Sequence, residues 1–168
     1  MTNVNLPNNI SRIALSDMAT VLGWCGGKGV DLLFRASRDG HTAQAFHSRC
    51  DGKGSTVVIA KTQSGHVIGG YTDVQWTSDG QYKTSNTSFI FNITGGRVPI
   101  QCHVKDQNNA VYHGSGYGPI FGDGNDFLIS FSGGGSTVRC SPGSYSGSVG
   151  VEEGKEGGVV DWEVFRVV

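Results

Sequence analysis

Long apolar runs are missing from this sequence, and so is an N-terminal targeting pattern. The longest apolar stretches are residues 32–34 and residues 164–168, the second of which is interrupted by Arg166. A membrane-spanning helix needs roughly 20 apolar residues in succession. Residues 1–11 are rich in Asn and lack the basic and then apolar order of a secretory signal. We therefore expect a cytoplasmic protein that does not insert into membranes.

An excess of positive charge is also absent. Thirteen Lys and Arg residues are set against 14 Asp and Glu residues, and the basic residues do not gather into a stripe. Proteins that bind nucleic acids neutralise phosphates with clustered Lys and Arg. The sequence therefore predicts that nucleic acid is not a partner.

Motifs for metals, phosphates and common catalytic sites are missing as well. The four cysteines include no CxxC pair, which argues against a structural zinc site. A Walker loop is excluded because Lys53 is followed by Gly54, and the sequence contains no GxSxG elbow and no HExxH helix. We expect no cofactor, no metal site and no catalytic constellation.

Glycine, by contrast, is abundant, with 27 residues against four prolines. The glycines lie in short clusters between apolar segments, which is typical of turns. Eight of these segments are predicted to be strands: residues 32–36, 56–61, 67–71, 89–93, 100–104, 110–113, 127–131 and 162–167. The pattern favours a mostly β, α+β fold in which two antiparallel sheets pack as a β-sandwich flanked by short helices.

Two segments depart from the strand pattern and predict the flanking helices. Apolar residues recur at near-helical spacing between Ile10 and Leu22, with Gly23 as a stop signal. In residues 39–50, Phe46 and Cys50 share one helical face. We interpret residues 1–9 as a polar tail and residues 10–168 as one domain, with glycine- and serine-rich loops at 133–135 and 142–158.

Two pairs of features suggest alternatives to a purely structural domain. His47 and Cys50 lie three residues apart on the predicted helix, a spacing at which an imidazole can lower the pKa of a thiol, as a thiol-based antioxidant requires. Residues 122–126 gather oxygen ligands as a calcium loop does, and three sequons begin at Asn9, Asn86 and Asn92. The second pair suggests a secreted calcium- or glycan-binding β-sandwich.

Ordered blocks of the sequence resemble the TLDc domain family. The matching blocks are residues 32–40, 45–51, 69–72, 109–112, 117–122, 126–129 and 162–165. They run in register from residue 10 to residue 168, and they are similar to forms of the domain common in protists and invertebrates. We expect a free-standing TLDc domain.

The resemblance implies both a fold and a class of function. It implies a sandwich of two antiparallel sheets with short helices, and a domain associated with protection against oxidative damage. Several members bind the vacuolar-type proton ATPase, so subunits of that enzyme are the expected protein partner. No accepted active site comes with the family. The residues that match recurring positions, or lie within the first block, are Arg35, Asp39, Phe46, His47, Gly69, Gly70, Tyr71 and Glu163.

Glu163 is the most informative of these positions. Strand alternation places it on the face shared with Phe165, opposite Trp162. A carboxylate on an apolar face needs partners if it is buried. We expect Glu163 to be a buried structural anchor that accepts hydrogen bonds from Arg35, Arg38 or backbone amides.

Overall fold

The computed structural model describes residues 15–151 and 157–168, with side chains from Met18 onward. The predicted polar tail, residues 1–9, and the apolar residues Ile10 and Ile13 lie outside the described residues. In the described part of the chain, no helix is both long enough and apolar enough to span a bilayer.

The described chain contains three α-helices, a short 3-10 turn at Gln107–Asn109 and eleven strands. The helices are α1 (Leu15–Cys25), α2 (Ala36–Asp39) and α3 (Ala43–Cys50). The strands are β1 (Val30–Arg35), β2 (Thr56–Thr62), β3 (Val67–Thr72), β4 (Tyr82–Lys83), β5 (Phe89–Asn92), β6 (Ile100–His103), β7 (Val111–Tyr112), β8 (Ile120–Phe121), β9 (Phe127–Ser132), β10 (Gly135–Arg139) and β11 (Gly157–Val167).

All eleven strands belong to one antiparallel sheet. Its main path runs β4-β7-β8-β9-β10-β11-β2-β3-β5-β6, and β1 pairs with β11 beside this path. Residues 157–158 of β11 pair with β10, while the rest of β11 lies between β1 and β2. The prediction of a mostly β chain with few helices is confirmed. The prediction of two separate sheets is wrong, because β11 joins both halves into a single sheet that curls into a half-barrel.

The curl is visible where β8 meets β3. These strands are five places apart in the strand order, which in a flat sheet is a separation of about 24 Å. Yet a Cβ atom added to Gly70 of β3 would lie 2.7 Å from Cζ of Phe121 in β8. The aromatic ring therefore rests on the backbone of β3, and Gly70 leaves the space for it.

Both faces of the central strands are buried. One cluster lies inside the curl and includes Val58 and Trp162, whereas the other, which includes Val57 and Phe165, lies under α1 on the outer face. Three apolar residues of α1 enter this second cluster, namely Met18, Val21 and Leu22. Burial on both faces explains why β2 reads as an uninterrupted apolar run in the sequence.

The helices differ from the predictions mainly at their ends. Gly23 does not stop α1, which continues to Cys25 and ends before Gly26, whose φ of 69° is the left-handed conformation that glycine favours. Helix α3 begins after Thr42, whose hydroxyl accepts a hydrogen bond from the Ala45 amide at 3.1 Å. Phe46 and Cys50 are fully buried on one face of α3, as predicted.

Three strands and one helix have no counterpart in the prediction. Strands β4 and β8 have two residues each, too few for a periodic pattern, and α2 has only four. Strand β10 begins at Gly135 within a segment interpreted as a loop, because Gly133 and Gly134 form the turn that leads into it. Strand β11 begins at Gly157, five residues before the predicted start.

Replacing Gly70 with alanine tests the packing of β8 on β3. The added methyl group would push the Phe121 ring away, and overpacking of this kind lowers the free energy of unfolding by about 1–3 kcal/mol. Gly95→Ala is the control, since the space around its Cβ position is open. Urea unfolding of both variants should show a loss for Gly70→Ala alone. Equal stability of the two variants would contradict this packing.

Candidate functional site

Glu163 lies at the middle of β11, between β1 and β2. It is directly opposite Arg35 in β1 and Ile59 in β2, and it is only 1% exposed. Alternation along the strand sends Trp162 into the core inside the curl and leaves Glu163 on the other face. The carboxylate is therefore buried at the centre of the sheet, as the sequence predicted.

Arg35 provides the positive charge that this carboxylate needs. Its Nη2 donates to Oε2 of Glu163 at 2.9 Å, and its Nε donates to the same oxygen at 3.3 Å. An unpaired buried charge is strongly destabilising, whereas a pair with good geometry is tolerated. The predicted hydrogen bond from an arginine is observed with Arg35, while the guanidinium of Arg38 contacts Asp39 instead.

Asp39, the last residue of α2, is contacted by groups of three arginines. It accepts from the Arg35 backbone amide at 3.0 Å and from Arg38 through Nε and Nη2 at 2.9 Å each, and it forms an ion pair with Arg49, whose Nη2 lies 3.3 Å away. Burial acts to raise the pKa of the Asp39 carboxyl, but these hydrogen bonds and positive charges together lower it below its usual value. The carboxylate fixes the bend from β1 into α2 and ties α3 to it.

Asp161 is a second buried acid of β11, and sequence analysis missed it. Its carboxylate accepts from the Ser37 amide at 3.0 Å, the Ser37 hydroxyl at 2.5 Å and the Trp162 amide at 2.9 Å. The signal available in the sequence was an acid two residues before Glu163, at the same strand parity. β11 thus holds α2 through Asp161 and the end of β1 through Glu163.

Phe46 is an aromatic contact point between α3 and the strands. Its ring centroid lies 6.2 Å from Phe34, 5.6 Å from Trp162 and 5.6 Å from Trp76. Trp162 in turn donates from Nε1 to the Ser136 hydroxyl at 2.8 Å. Phe46 therefore supplies packing between α3 and the aromatic core.

His47 connects α3 to a loop and not to a thiol. Its Nδ1 lies 2.8 Å from Oδ1 of Asp51, and its Nε2 lies 3.0 Å from the carbonyl oxygens of both Gly114 and Tyr117. The other Asp51 oxygen accepts from the Ser78 hydroxyl at 2.7 Å. Nε2 of His47 thus holds residues 114–117 against α3, while Nδ1 is engaged with Asp51 at the end of the helix.

The proposed pairing of His47 with Cys50 is wrong. Cys50 is 0% exposed, and burial raises the pKa of its thiol far above the usual value, with the negative charges of Asp51 and Asp39 raising it further. A peroxide-reducing cysteine needs a low pKa and solvent access. Cys50 has neither in this structure, and it packs as a small apolar side chain.

The calcium-like segment is a turn that anchors another loop. The Asp126 carboxylate is buried and accepts from the backbone amides of Gly143, Ser144 and Tyr145 at 2.8–3.0 Å. Oxygens that face three N–H donors do not face a cation. Among the described residues, no three His, Cys, Asp or Glu side chains gather as a metal ion requires.

Two of the three sequons begin at described residues, and these two asparagines differ in accessibility. Asn92 is buried, and its side-chain amide donates to the Val149 carbonyl at 2.7 Å, so its nitrogen is not accessible in the folded domain. Asn86 is exposed, and Asn9 lies outside the described residues.

The remaining sequence candidates, Gly69, Gly70 and Tyr71, belong to the core of the sheet. A Cβ at Gly69 would collide with the Val58 carbonyl at 1.9 Å, and the Tyr71 ring stacks on Phe89 at 5.2 Å. These residues lie in β3, which β2 and β11 separate from the Arg35 and Asp39 cluster at the end of β1. The structure does not bring them together with His47 or Cys50 into one site.

His113 is a buried titratable group that the sequence did not single out. The Thr77 amide donates to its Nδ1 at 3.1 Å, so Nδ1 carries no proton and Nε2 does. Within the described part of the chain, Nε2 has no hydrogen-bond partner. Burial and then the positive charge of Lys83 lower the pKa of His113 to about 4.

A family model for the TLDc domain matches residues 8–168 of the chain. The match spans all of the elements described above, from α1 to β11. Comparison with curated proteins gave no match.

Removing the Glu163 carboxylate should destabilise the domain. Glu163→Ala leaves the Arg35 guanidinium buried without its charge partner, and the expected loss is roughly 2–4 kcal/mol in the free energy of unfolding. Asp31→Ala is the matched control on the same strand pair, because Asp31 and Arg166 form an ion pair with exposures of 55% and 46%. Its loss should stay below about 1 kcal/mol. Thermal melts that coincide for the two variants would refute the anchor role.

Acidification should weaken the fold through His113. Its pKa is about 4 when folded and about 6.5 when unfolded, so the unfolded state binds more protons between these values. The stabilisation is complete above pH 6.5 and is lost as the pH falls towards 4, at up to about 1.4 kcal/mol per pH unit.

The slope is measured by urea unfolding between pH 4.5 and pH 7. His113→Gln should flatten it, whereas His103→Gln, which removes an exposed imidazole from β6, should leave it unchanged. An unaltered slope in His113→Gln would show that this histidine does not couple folding to pH.

Proposed function

This chain belongs to the TLDc domain family, and from that membership we propose that it is a non-catalytic protein-interaction domain of the cytoplasm. We propose further that it is linked to protection against oxidative damage, and that it binds or regulates the vacuolar-type proton ATPase. The observation that carries the proposal is the match of the family model to nearly the whole chain.

The positions of the motif residues support a binding domain. Glu163 forms a buried ion pair with Arg35, the backbone amide of Arg35 donates to Asp39, and His47 holds a loop. Gly70 and Phe46 fit aromatic contacts in the core. These candidate residues thus make packing and anchoring contacts here, which leaves the exposed side chains to meet a partner.

The structure removes the support for direct thiol chemistry. Of the four free cysteines, Cys50, Cys102 and Cys140 are buried, and burial raises the pKa of each thiol. Cys25 is half-buried, and its pKa is raised for the same reason. Protection against oxidants through a bound protein is therefore the better supported form of the oxidative-stress role.

The surface carries side chains of the kind that protein interfaces use. The exposed large apolar residues of the described chain are Tyr82, Val98, Ile100, Tyr117, Val160 and Val168. Tyrosine and arginine are enriched in the energetically dominant parts of interfaces.

A binding domain changes the activity of an ATPase only through unequal affinity for its states. If the domain binds one assembly state tenfold more tightly, it shifts the assembly equilibrium by about 1.4 kcal/mol. Regulation of this kind needs no reactive group in the domain. It requires a rigid surface, which the ion-paired and hydrogen-bonded elements around α3 provide.

Capture from a cell extract tests the proposed target. Immobilised domain should enrich subunits of the proton ATPase, identified by mass spectrometry. Glu163→Ala assayed well below its melting temperature should retain this capture, because the carboxylate is buried and acts on stability. A failure of wild-type domain to enrich ATPase subunits, beside a positive control that does, would count against the target.

A further inference from the structure

Helix α3 has a solvent-facing side bordered by two arginines. Phe46 and Cys50 point into the core, whereas Gln44, Ser48 and Arg49 are exposed. The guanidinium of Arg49 reaches Asp39, where it meets that of Arg38. The two cations therefore share one carboxylate beside the exposed side of α3.

The hydrogen bonds to Asp39 leave this cluster with one net positive charge. Arg38 makes a two-point contact, with Nε on Oδ1 and Nη2 on Oδ2, and the same Nη2 also lies 3.4 Å from the Leu33 carbonyl. Arg49 adds a second guanidinium to the same single carboxylate, at 3.3 Å. The adjacent pair of Arg35 and Glu163 is neutral in sum, and the Asp161 carboxylate bound to Ser37 is only 3% exposed, so the charge that faces solvent here is positive.

The other acidic group beside α3 does not cancel that charge. Asp51, at the end of the helix, keeps its negative charge when it binds the His47 ring and the Ser78 hydroxyl, but the exposed Lys53 two residues later offsets it. The side chains of Arg38 and Arg49 are 44% and 51% exposed, so part of each one faces solvent. Each guanidinium has five N–H donors in a planar fork that fits carboxylates.

Arg49 contributes little to the fold. Asp39 is already satisfied by the two-point contact with Arg38 and by the Arg35 amide, and exposed ion pairs contribute about 0–1 kcal/mol. Arg38, in contrast, is fixed in direction by its contacts. The pair thus consists of one pre-oriented arginine and one that can be changed without loss of the fold.

An aromatic residue borders the opposite side of α3. The backbone of Tyr117 is held by His47 at 3.0 Å, and the Tyr117 side chain is 49% exposed. Arginine and tyrosine around a helix face are the composition typical of protein interfaces, in which a few such residues dominate the binding energy.

We infer that the exposed side of α3, together with Arg38 and Arg49, is the docking surface for an acidic segment of a protein partner. Carboxylates of that segment accept hydrogen bonds from the outward N–H groups of the two guanidiniums. The inference rests on the proposed interaction function and adds the surface and the chemistry of the partner. A membrane fits this surface less well, because electrostatic membrane binding uses clusters of about 4–8 Lys and Arg.

Titration of the isotopically labelled domain with a deca-glutamate peptide tests the surface. Nuclear magnetic resonance should show shifts of the Arg38 and Arg49 Nε–H signals and of the amides of residues 37–49. Affinity from fluorescence anisotropy should fall as salt rises, and Arg49→Gln should weaken it on the order of tenfold. Deca-lysine should not bind there.

Arg166→Gln is the matched control. Arg166 is exposed to a similar degree, at 46%, and forms an ion pair with Asp31 on another part of the surface. Urea unfolding should give both variants nearly the stability of the wild type. Equal peptide affinity of the two variants, shifts confined to other residues, or binding to phosphatidylserine vesicles without binding to the peptide would overturn the inference.

Capture of ATPase subunits with the same variants separates the two proposals. Peptide binding at α3 without enrichment of the subunits would support the docking surface and contradict the ATPase as the target. Equal enrichment by wild type and Arg49→Gln would leave the target standing and overturn the surface.

Discussion

The buried carboxylate of Glu163 is the constraint on which the centre of the fold depends. It lies in a strand with neighbours on both sides, 1% exposed, and needs a cation within hydrogen-bond reach. Arg35 meets that need only when β1 pairs with β11 in the observed register. A slip of one residue would turn Glu163 towards the aromatic core and Trp162 away from it. The ion pair therefore selects one register, and the end of β1 then positions α2 and α3.

Local periodicity was sufficient to predict some of these features. The burial of Glu163 follows from alternation around Trp162, and the buried face of α3 follows from the spacing of Phe46 and Cys50. The closure of the sheet was not predictable in this way. It depends on contacts such as Phe121 on Gly70, which join residues 51 positions apart in the sequence and leave no local pattern. Strand β4 was missed because its two residues cannot repeat the alternation that marks a strand.

Residue type alone could not distinguish the alternatives considered for the candidate site. Asp and Gly are common both in calcium loops and in turns, and at Asp126 the outcome is set by amides 17–19 residues away in the sequence. Likewise, residues three apart on a helix can touch, but His47 is drawn to Asp51 and to the carbonyl groups of residues 114 and 117. In both cases the deciding partner is distant in sequence or competes at a neighbouring spacing, so the partner becomes known only from the fold.

Arg35 links the buried anchor to the surface arginines. Its guanidinium binds Glu163 while its backbone amide binds Asp39, and Asp39 orients Arg38 towards the exposed side of α3. Side-chain ordering costs about 0.5–1.5 kcal/mol for each long side chain immobilised in an interface. Because Asp39 already orders Arg38 in the free domain, less side-chain freedom is lost when a partner binds. The same acids that satisfy the buried strand can thus raise the affinity of the surface, and this coupling requires no catalytic residue.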